Sequence, residues 1–298
     1  MKMYELEGEL LKIGIAGVGA ELKSMVKKAT GTEYMWSADP EYWGKTSPVL
    51  FPFVGRLRGY QYTYQDKIYK PTPHGFAKDV EFELLSQTAD TLHFGIKSTE
   101  ETKEVYPFDF EFETIYKIKG NVVEITFIVT NTGDTDMYYS LGAHPGFACP
   151  LDLNKNKRSD YYIRFENGDK ILDKVVSHCV DTTVGLVNNQ YKDYELDNGV
   201  LSIKDDMFDN DALVLEDNQV TGVSLLDENR NPYVTVEMDA PIYGIWSAIP
   251  HGSPFICIEP WLGRCDAVDF DGKFEERKYQ STLKPGEIFK TSYTITVV

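Results

Sequence analysis

The chain has 298 residues, of which 42% are apolar and 13% are aromatic, and its formal net charge at pH 7 is −17. That charge argues against nucleic acid and anionic membranes as partners, because both would repel the protein. The N-terminal residues lack an apolar signal region and no apolar run is long enough to cross a bilayer, so we expect a cytoplasmic protein with no membrane partner.

Strand-like patterns begin near the N-terminus. Residues 9–15 alternate like a strand, and the glycine-rich segment 17–22 favours a hairpin turn over a dinucleotide-binding loop, because Leu22 stands where that motif needs its third glycine. Prolines interrupt the apolar segment 47–56, which predicts irregular or edge structure ending at Arg56.

The middle of the chain repeats one pattern. Short runs rich in β-branched and aromatic residues, separated by turn residues, lie at 80–85, 91–96, 110–118 and 122–130. The charged run 100–104 predicts a solvated turn or a short helix.

The rest of the chain continues this pattern. A weaker polar region at 181–198 is followed by further strand-like runs to the C-terminus. With no internal repeat or composition break, we predict one all-β domain spanning residues 1–298.

Two histidines and a carboxylate stand out at stiff points of the predicted strands. His144 follows a strand and a turn and precedes a proline, His74 has similar flanks, and Glu259 lies inside the apolar run 255–261. A glutamate in an apolar strand is costly unless it is paired or used, so these groups form a candidate acid/base set.

Other chemistries have less support. A GxSxG-like nucleophile motif is absent from the sequence. A metal site is not supported either, because the sequence has no closely spaced pair of ligands such as HxH or HxxxH. The cysteines lack the paired spacing of a zinc site, which predicts free and mostly buried thiols at Cys149, Cys179, Cys257 and Cys265.

Five short motifs occur in the order and approximate spacing seen in aldose 1-epimerases, the galactose mutarotase family. They are SPVLFP with GR at 47–56, HGF at 74–76, GAHPGF at 142–147, IEPW at 258–261 and LKPGE at 283–287. The chain therefore resembles that family over nearly its whole length, and within it the LacX-type branch.

The resemblance implies a β-supersandwich of large antiparallel sheets and cofactor-free, metal-free interconversion of the α and β anomers of an aldohexose such as galactose or glucose. It implies that Glu259 is the general base and that His144 is the acid that protonates the ring oxygen. His74 and Arg56 would bind sugar oxygens, and Asp211 would hold sugar hydroxyls. Reference pKa values of about 4.3 for glutamate and 6.5 for histidine agree with these two roles near neutrality.

Some positions are less certain from the sequence. Asp209 is the alternative to Asp211, whose Asp-Ala-Leu-Val context resembles the family more closely. Aromatic rings pack on the C–H faces of sugars, and Trp36 is our first candidate, with Trp43 and Trp261 as others. Lys78 replaces the arginine of the family's HGFxR pattern, which weakens the case for a bidentate anion clamp there.

Two alternatives remain open beside an epimerase for free sugars. One is an epimerase of hexose 6-phosphates, which would need the basic residues Arg56, Arg58, Lys78 and Arg264 to converge. The other is a non-catalytic sugar-binding protein of the same fold. In each case we expect a small-molecule sugar as the partner and a monomer or homodimer.

Overall fold

The computed structural model describes residues 2–249 and 252–298. Strands dominate it because the chain repeats short β-branched and aromatic runs between turns. The described strands, in chain order, are β1 Met3–Glu7, β2 Leu11–Ala16, β3 Leu22–Lys27, β4 Thr32–Glu33, β5 Val49–Leu50, β6 Tyr62–Tyr64, β7 Lys67–Tyr69, β8 Glu83–Gln87, β9 Thr91–Lys97, β10 Phe110–Lys119, β11 Val122–Asn131, β12 Met137–Tyr139, β13 Leu141–Ala143, β14 Gly146–Ala148, β15 Tyr162–Glu166, β16 Lys174–Asp181, β17 Leu186–Glu195, β18 Val200–Ser202, β19 Leu213–Leu215, β20 Gly222–Leu226, β21 Pro232–Glu237, β22 Ile242–Trp246, β23 Phe255–Leu262, β24 Ser281–Leu283 and β25 Ile288–Val297.

Within the described residues these strands form sheets of nine, eight and four strands and two two-stranded ribbons. The nine-stranded sheet has the order β18-β15-β20-β21-β25-β11-β10-β9-β8, and the eight-stranded sheet has the order β17-β16-β19-β22-β23-β13-β5, with β14 also paired to β23. Neighbouring strands are antiparallel. The all-β prediction, with large antiparallel sheets, is confirmed.

Helical structure is short. The α-helix Glu100–Lys103 is capped by Thr99 and lies in the charged run for which a turn or short helix was predicted. The short 3-10 turns are Arg58–Tyr60, Ala77–Asp79, Arg158–Asp160 and Phe274–Glu276. Across 2–249 and 252–298, none of the helices has the length and apolarity needed to span a membrane.

The two large sheets share one buried core. The Phe51 ring, which follows β5, stacks on Phe112 of β10 with 4.5 Å between the ring centroids. On β22, the Tyr243 hydroxyl donates to the Thr221 carbonyl beside β20, at 3.0 Å. One face of the eight-stranded sheet therefore packs against this core, and its other face lines a cleft.

Side-chain alternation along β23 decides which residues face that cleft. Ile256 and Ile258 belong to the main core, whereas Cys257 and Trp261 belong to smaller clusters on the opposite face. Because successive residues of a strand point to opposite faces, Glu259 shares the face of Cys257 and Trp261.

The polar region 181–198 is more regular than its sequence indicated. It carries the ten-residue strand β17, which pairs with β16 at the edge of the eight-stranded sheet. Most of β17 is exposed, so it lacks the apolar alternation by which a half-buried strand is recognised. The prediction of a single domain over residues 1–298 stays a prediction.

Candidate active site

Strand register brings His144 and Glu259 together. Strands β13 and β14 both pair with β23, and Gly146 lies opposite Cys257. The same register continued by two residues places His144 opposite Glu259. Nε2 of His144 lies 3.2 Å from Oε2 of Glu259, and the two residues are 8% and 1% exposed.

A cavity of about 400 Å³ lies over this pair. Its walls come from the cleft face of the eight-stranded sheet and from the loops before and after β5 and after β7. Five of the six predicted site residues line it, namely Glu259, His144, His74, Arg56 and Asp211. Their roles stay predictions, but the fold does gather them around one space.

The sixth, Trp36, does not line the cavity. It is buried, donates its indole N–H to the Trp43 carbonyl at 2.9 Å and stacks on Phe255 with 4.6 Å between ring centroids. Trp43 lines the cavity instead and stacks on His144 at 4.8 Å. Trp246 meets the same histidine edge-on at 5.6 Å, and our sequence analysis missed it. Trp246 lies in the strand-like run 243–248, where nothing in the sequence distinguishes it from a core aromatic residue.

The backbone holds His74 in an unusual conformation. Its φ is 63° and that of Gly75 is 68°, in the left-handed region that favours glycine. A side chain at Gly75 would place its Cβ 2.3 Å from the Phe51 carbonyl oxygen, so glycine is required for this close approach.

The orientation of the His74 ring is also determined. The Gly55 N–H donates to Nδ1 of His74 at 3.2 Å, so a neutral ring carries its proton on Nε2. Burial, and then the positive charges of Lys78 and Arg56, lower the pKa of His74 to about 4. His74 is therefore a neutral hydrogen-bond donor near pH 7.

Burial moves the pKa values of the central pair in opposite directions. It lowers the pKa of His144 well below the ordinary value, with a further contribution from His74. It raises the pKa of Glu259 well above the ordinary value. The charge of Asp211 raises this pKa further, and the Trp261 indole lowers it. The reference pKa values used in the sequence analysis are therefore wrong for His144 and Glu259, because burial penalises the charged form of each group. Burial therefore favours the neutral form of each member of the pair.

The indole of Trp261 lies flat against the sheet beside this pair. A Cβ at Gly244 would stand 2.5 Å from its ring, and a Cβ at Gly142 would stand 2.8 Å from it. The Trp261 N–H is buried and has no hydrogen-bond partner among the described residues. It faces Glu259 at the cavity wall and lowers the pKa of that carboxyl.

Among the described residues, three cationic side chains line the cavity. Arg56 and Lys78 belong to the predicted basic cluster, whereas Lys45 was not predicted. Lys78 donates to the Gly75 carbonyl and lies 2.9 Å from Asp79, and Lys45 contacts the same aspartate at 3.0 Å. Among the described residues, the hydrogen bonds of Arg56 are long, at 3.4 Å to the Tyr60 hydroxyl and 3.4 Å to the Val184 carbonyl.

The other two members of the predicted cluster lie elsewhere. Arg58 donates to the Phe270 carbonyl at 3.0 Å, and Arg264 is buried against Glu216 at 2.7 Å. The four basic residues named from the sequence therefore do not converge as a group.

The two aspartate candidates separate in the structure. Asp211 lines the cavity with a φ of 72°, and its side chain accepts the Ala212 N–H at 2.8 Å. Asp209 is not among the residues of the cavity wall. This placement favours Asp211 as the residue that meets a ligand.

A larger depression of about 740 Å³ lies around β6 and the turn Phe274–Glu276. It is open, and the described residues of its wall include charged side chains but no histidine. The titratable pair of the smaller cavity makes that cavity the better candidate for chemistry.

Comparisons with known proteins agree with this geometry. A sequence model of the family described as "Aldose 1-epimerase" matches residues 2–296. The plasmid and chromosomal LacX proteins of Lactococcus lactis subsp. lactis are each 31% identical to the chain over 307 residues, covering 99% of both sequences.

Solved structures give the same result. The fold is similar to that of a galactose mutarotase related enzyme from Lactobacillus acidophilus, with a TM-score of 0.91, 36% identity and coverage of 100% of this chain and 97% of the other. A galactose mutarotase-like protein from Lactobacillus casei ATCC 334 has a TM-score of 0.89, 25% identity and full coverage of both chains. These matches confirm the predicted fold and the resemblance to LacX-type proteins, and the chain belongs to the aldose 1-epimerase family.

Proposed function

We propose that this protein interconverts the α and β anomers of a free aldohexose, with galactose and glucose as the first substrates to test. The observation that carries the proposal is the buried pair of His144 and Glu259, 3.2 Å apart, at the wall of a cavity of about 400 Å³. A hexose fits a cavity of this size, and the pair offers one proton donor and one acceptor.

Anomer exchange needs two proton transfers in each direction. In the proposed reaction Glu259 takes the proton of the anomeric hydroxyl while His144 gives a proton to the ring oxygen, so the ring opens to the aldehyde. Rotation about the C1–C2 bond presents the other carbonyl face, and ring closure reverses both transfers. The pair ends with the same number of protons as it began with. Because burial favours the neutral form of each group, the reacting state has to form from the neutral pair by transfer of the Glu259 proton to His144 across their 3.2 Å contact.

The other lining residues fit binding and orientation. His74, neutral with its proton on Nε2, would donate to a sugar oxygen, and Asp211 would accept from hydroxyls. Trp43, which stacks on His144, takes the place that the sequence analysis gave to Trp36 as the ring that packs on a sugar face.

The test is the rate of anomer exchange of α-galactose and α-glucose, followed by polarimetry or NMR. Glu259→Gln keeps the shape of the side chain but removes the base, and we expect a loss of about 10²–10⁴-fold. Glu195→Gln, an exposed glutamate of the same sheet, is the matched control and should leave the rate unchanged. Full activity in Glu259→Gln would overturn the proposal, and sugar binding with no acceleration in the unmutated protein would indicate a binding module instead.

A hexose 6-phosphate is the second candidate substrate. It is favoured by Lys45, Arg56 and Lys78, which bring three cations to the cavity of a protein with a net charge of −17. Against it, both lysines are already paired with Asp79. Equal kcat/KM for glucose and glucose 6-phosphate would exclude this candidate, whereas a preference for the phosphate that is lost in Arg56→Met would support it.

A further inference from the structure

A third chemically active group lies beside the His144–Glu259 pair. Cys257 precedes Glu259 by two residues on the same face of β23, so its thiol is also on the cleft side. The ligand atoms of His144, Cys257 and Glu259 all lie within 4.8 Å of one another, and all three residues are buried. Nothing in the acid/base reaction above uses the thiol.

These three residues and a glycine occupy neighbouring positions on the paired strands β14 and β23 and the segment before β14. Gly146 lies opposite Cys257 on β14, next to the strand position of His144. Its missing side chain matters, because a Cβ there would stand 3.3 Å from Sγ of Cys257 and 3.1 Å from the Trp43 ring. Three ligand side chains thus occupy three corners of a cross-strand square, and the Trp43 ring, the Thr46 carbonyl and Cys257 close in on the fourth.

From this arrangement we infer that His144, Cys257 and Glu259 form a binding site for Zn²⁺ or a similar borderline-soft divalent cation. Imidazole, thiolate and carboxylate are all zinc ligands, and a thiolate selects against Mg²⁺ and Ca²⁺. Two ligands of a tetrahedral zinc site lie about 3.3–3.8 Å apart, so closing the present arrangement needs side-chain shifts on the order of 1 Å.

The number of ligands determines what kind of site this is. Three protein ligands leave the fourth position of the metal open, and His144 and Glu259 both face the cavity where a water or sugar oxygen can reach it. Nδ1 of His144 has no hydrogen-bond partner among the described residues, so the histidine lacks the support that strengthens permanent zinc sites. The site therefore takes the metal reversibly.

Metal binding and the proposed reaction exclude each other. The cation takes Nε2 of His144 and an oxygen of Glu259, and it binds all three ligands in their deprotonated forms. Zn²⁺ is accordingly a competitive inhibitor of anomer exchange, and its affinity increases with pH. The inhibition rests on the proposed function, but the metal binding does not.

Co²⁺ titration of the purified chain tests the site without using activity. We expect one Co²⁺ per chain, with a near-ultraviolet thiolate-to-cobalt band, visible bands of a four-coordinate ion, and displacement by Zn²⁺. Cys257→Ser should lose the near-ultraviolet band and weaken Co²⁺ binding at least about tenfold, since outer-shell changes alone cost about 10–100-fold. Cys149→Ser removes another fully buried thiol and should keep both the near-ultraviolet band and the Co²⁺ affinity.

The two proposals fail in different ways. No thiolate-to-cobalt band in the unmutated protein, or a band that survives Cys257→Ser, overturns the metal site whatever the enzyme activity. Zn²⁺ inhibition of equal strength in Cys257→Ser also overturns it, with Cys257→Ala as the replacement if the serine variant does not fold. A normal cobalt spectrum in a protein that does not accelerate anomer exchange supports the metal site and removes only the proposed function.

Discussion

Two buried glutamates of this protein have opposite surroundings. Glu216 is 1% exposed and lies 2.7 Å from Arg264 and 2.5 Å from Lys278, with His178 at 3.5 Å. Glu259 is equally buried, but within the part of the chain that the structure describes its only ion-pair partner is His144.

The difference separates a structural carboxylate from a chemical one. Two permanently charged partners compensate the charge of Glu216 inside the protein, so it ties the segments that carry Arg264 and Lys278 to the end of β19. Glu259 has a partner that can lose its own charge, so its proton remains exchangeable with a substrate. A buried carboxylate paired with a histidine is therefore a better marker of an active site than one paired with arginine and lysine.

The largest expected effect is on catalysis. Glu259→Gln should lower the anomer-exchange rate by about 10²–10⁴-fold. Its free energy of unfolding, measured by urea denaturation, should stay unchanged or increase, because the change removes a buried titrating group. A large loss of stability would place Glu259 in the same structural class as Glu216.

The matched change at the other glutamate should act on stability. Glu216→Gln removes the carboxylate that pairs with the buried Arg264, and we expect the free energy of unfolding to decrease by about 3 kcal/mol. Urea denaturation of both variants in one buffer provides the comparison. An unchanged midpoint for Glu216→Gln would contradict the structural role given to it.

The pH dependence of kcat/KM gives a third test. Burial lowers the pKa of His144, so a second proton joins the pair only below the ordinary histidine value of about 6.5. Burial raises the pKa of Glu259, so the last proton leaves only well above the ordinary glutamate value of about 4.3. We therefore expect kcat/KM for anomer exchange to stay level as the pH passes through 6.5. A titration centred near pH 6.5 would show that the histidine behaves as an exposed group.

Packing under Trp261 should have a smaller effect. In Gly244→Ala the new Cβ would stand 2.5 Å from the indole, so the ring has to move toward the cavity. We expect a loss of about 1–3 kcal/mol in the free energy of unfolding and a higher KM. Gly14→Ala is the control, since its Cβ would meet its neighbours at an ordinary 3.5 Å.

The smallest effect should come from the ring over His144. Trp43→Leu removes a stacking contact worth about 0.5–1.5 kcal/mol, which corresponds to about a twofold to tenfold lower kcat/KM. Trp36→Leu should change stability more than KM, because Trp36 packs behind the cavity. A larger increase in KM for Trp36→Leu than for Trp43→Leu would restore Trp36 as the sugar contact.

Much of this protein was determined by its sequence alone. Regular β-branched and aromatic runs between turns are enough to predict antiparallel sheets, because that pattern depends on neighbouring residues. The exposed strand β17 escaped prediction because an edge strand that is polar on both faces has no apolar period to detect. His74, His144 and Glu259 could be singled out because each interrupts its surroundings in a way visible along the chain.

Only the tertiary structure decided how these residues act. The shared register of β13, β14 and β23 places His144 against Glu259 and Cys257, residues more than a hundred positions away that no local spacing rule could connect. Burial then moves the pKa values of the pair away from the reference values, and it hides Trp36 while presenting Trp43. Electrostatics and ligand geometry depend on distances and on the exclusion of water, and both are properties of the folded chain.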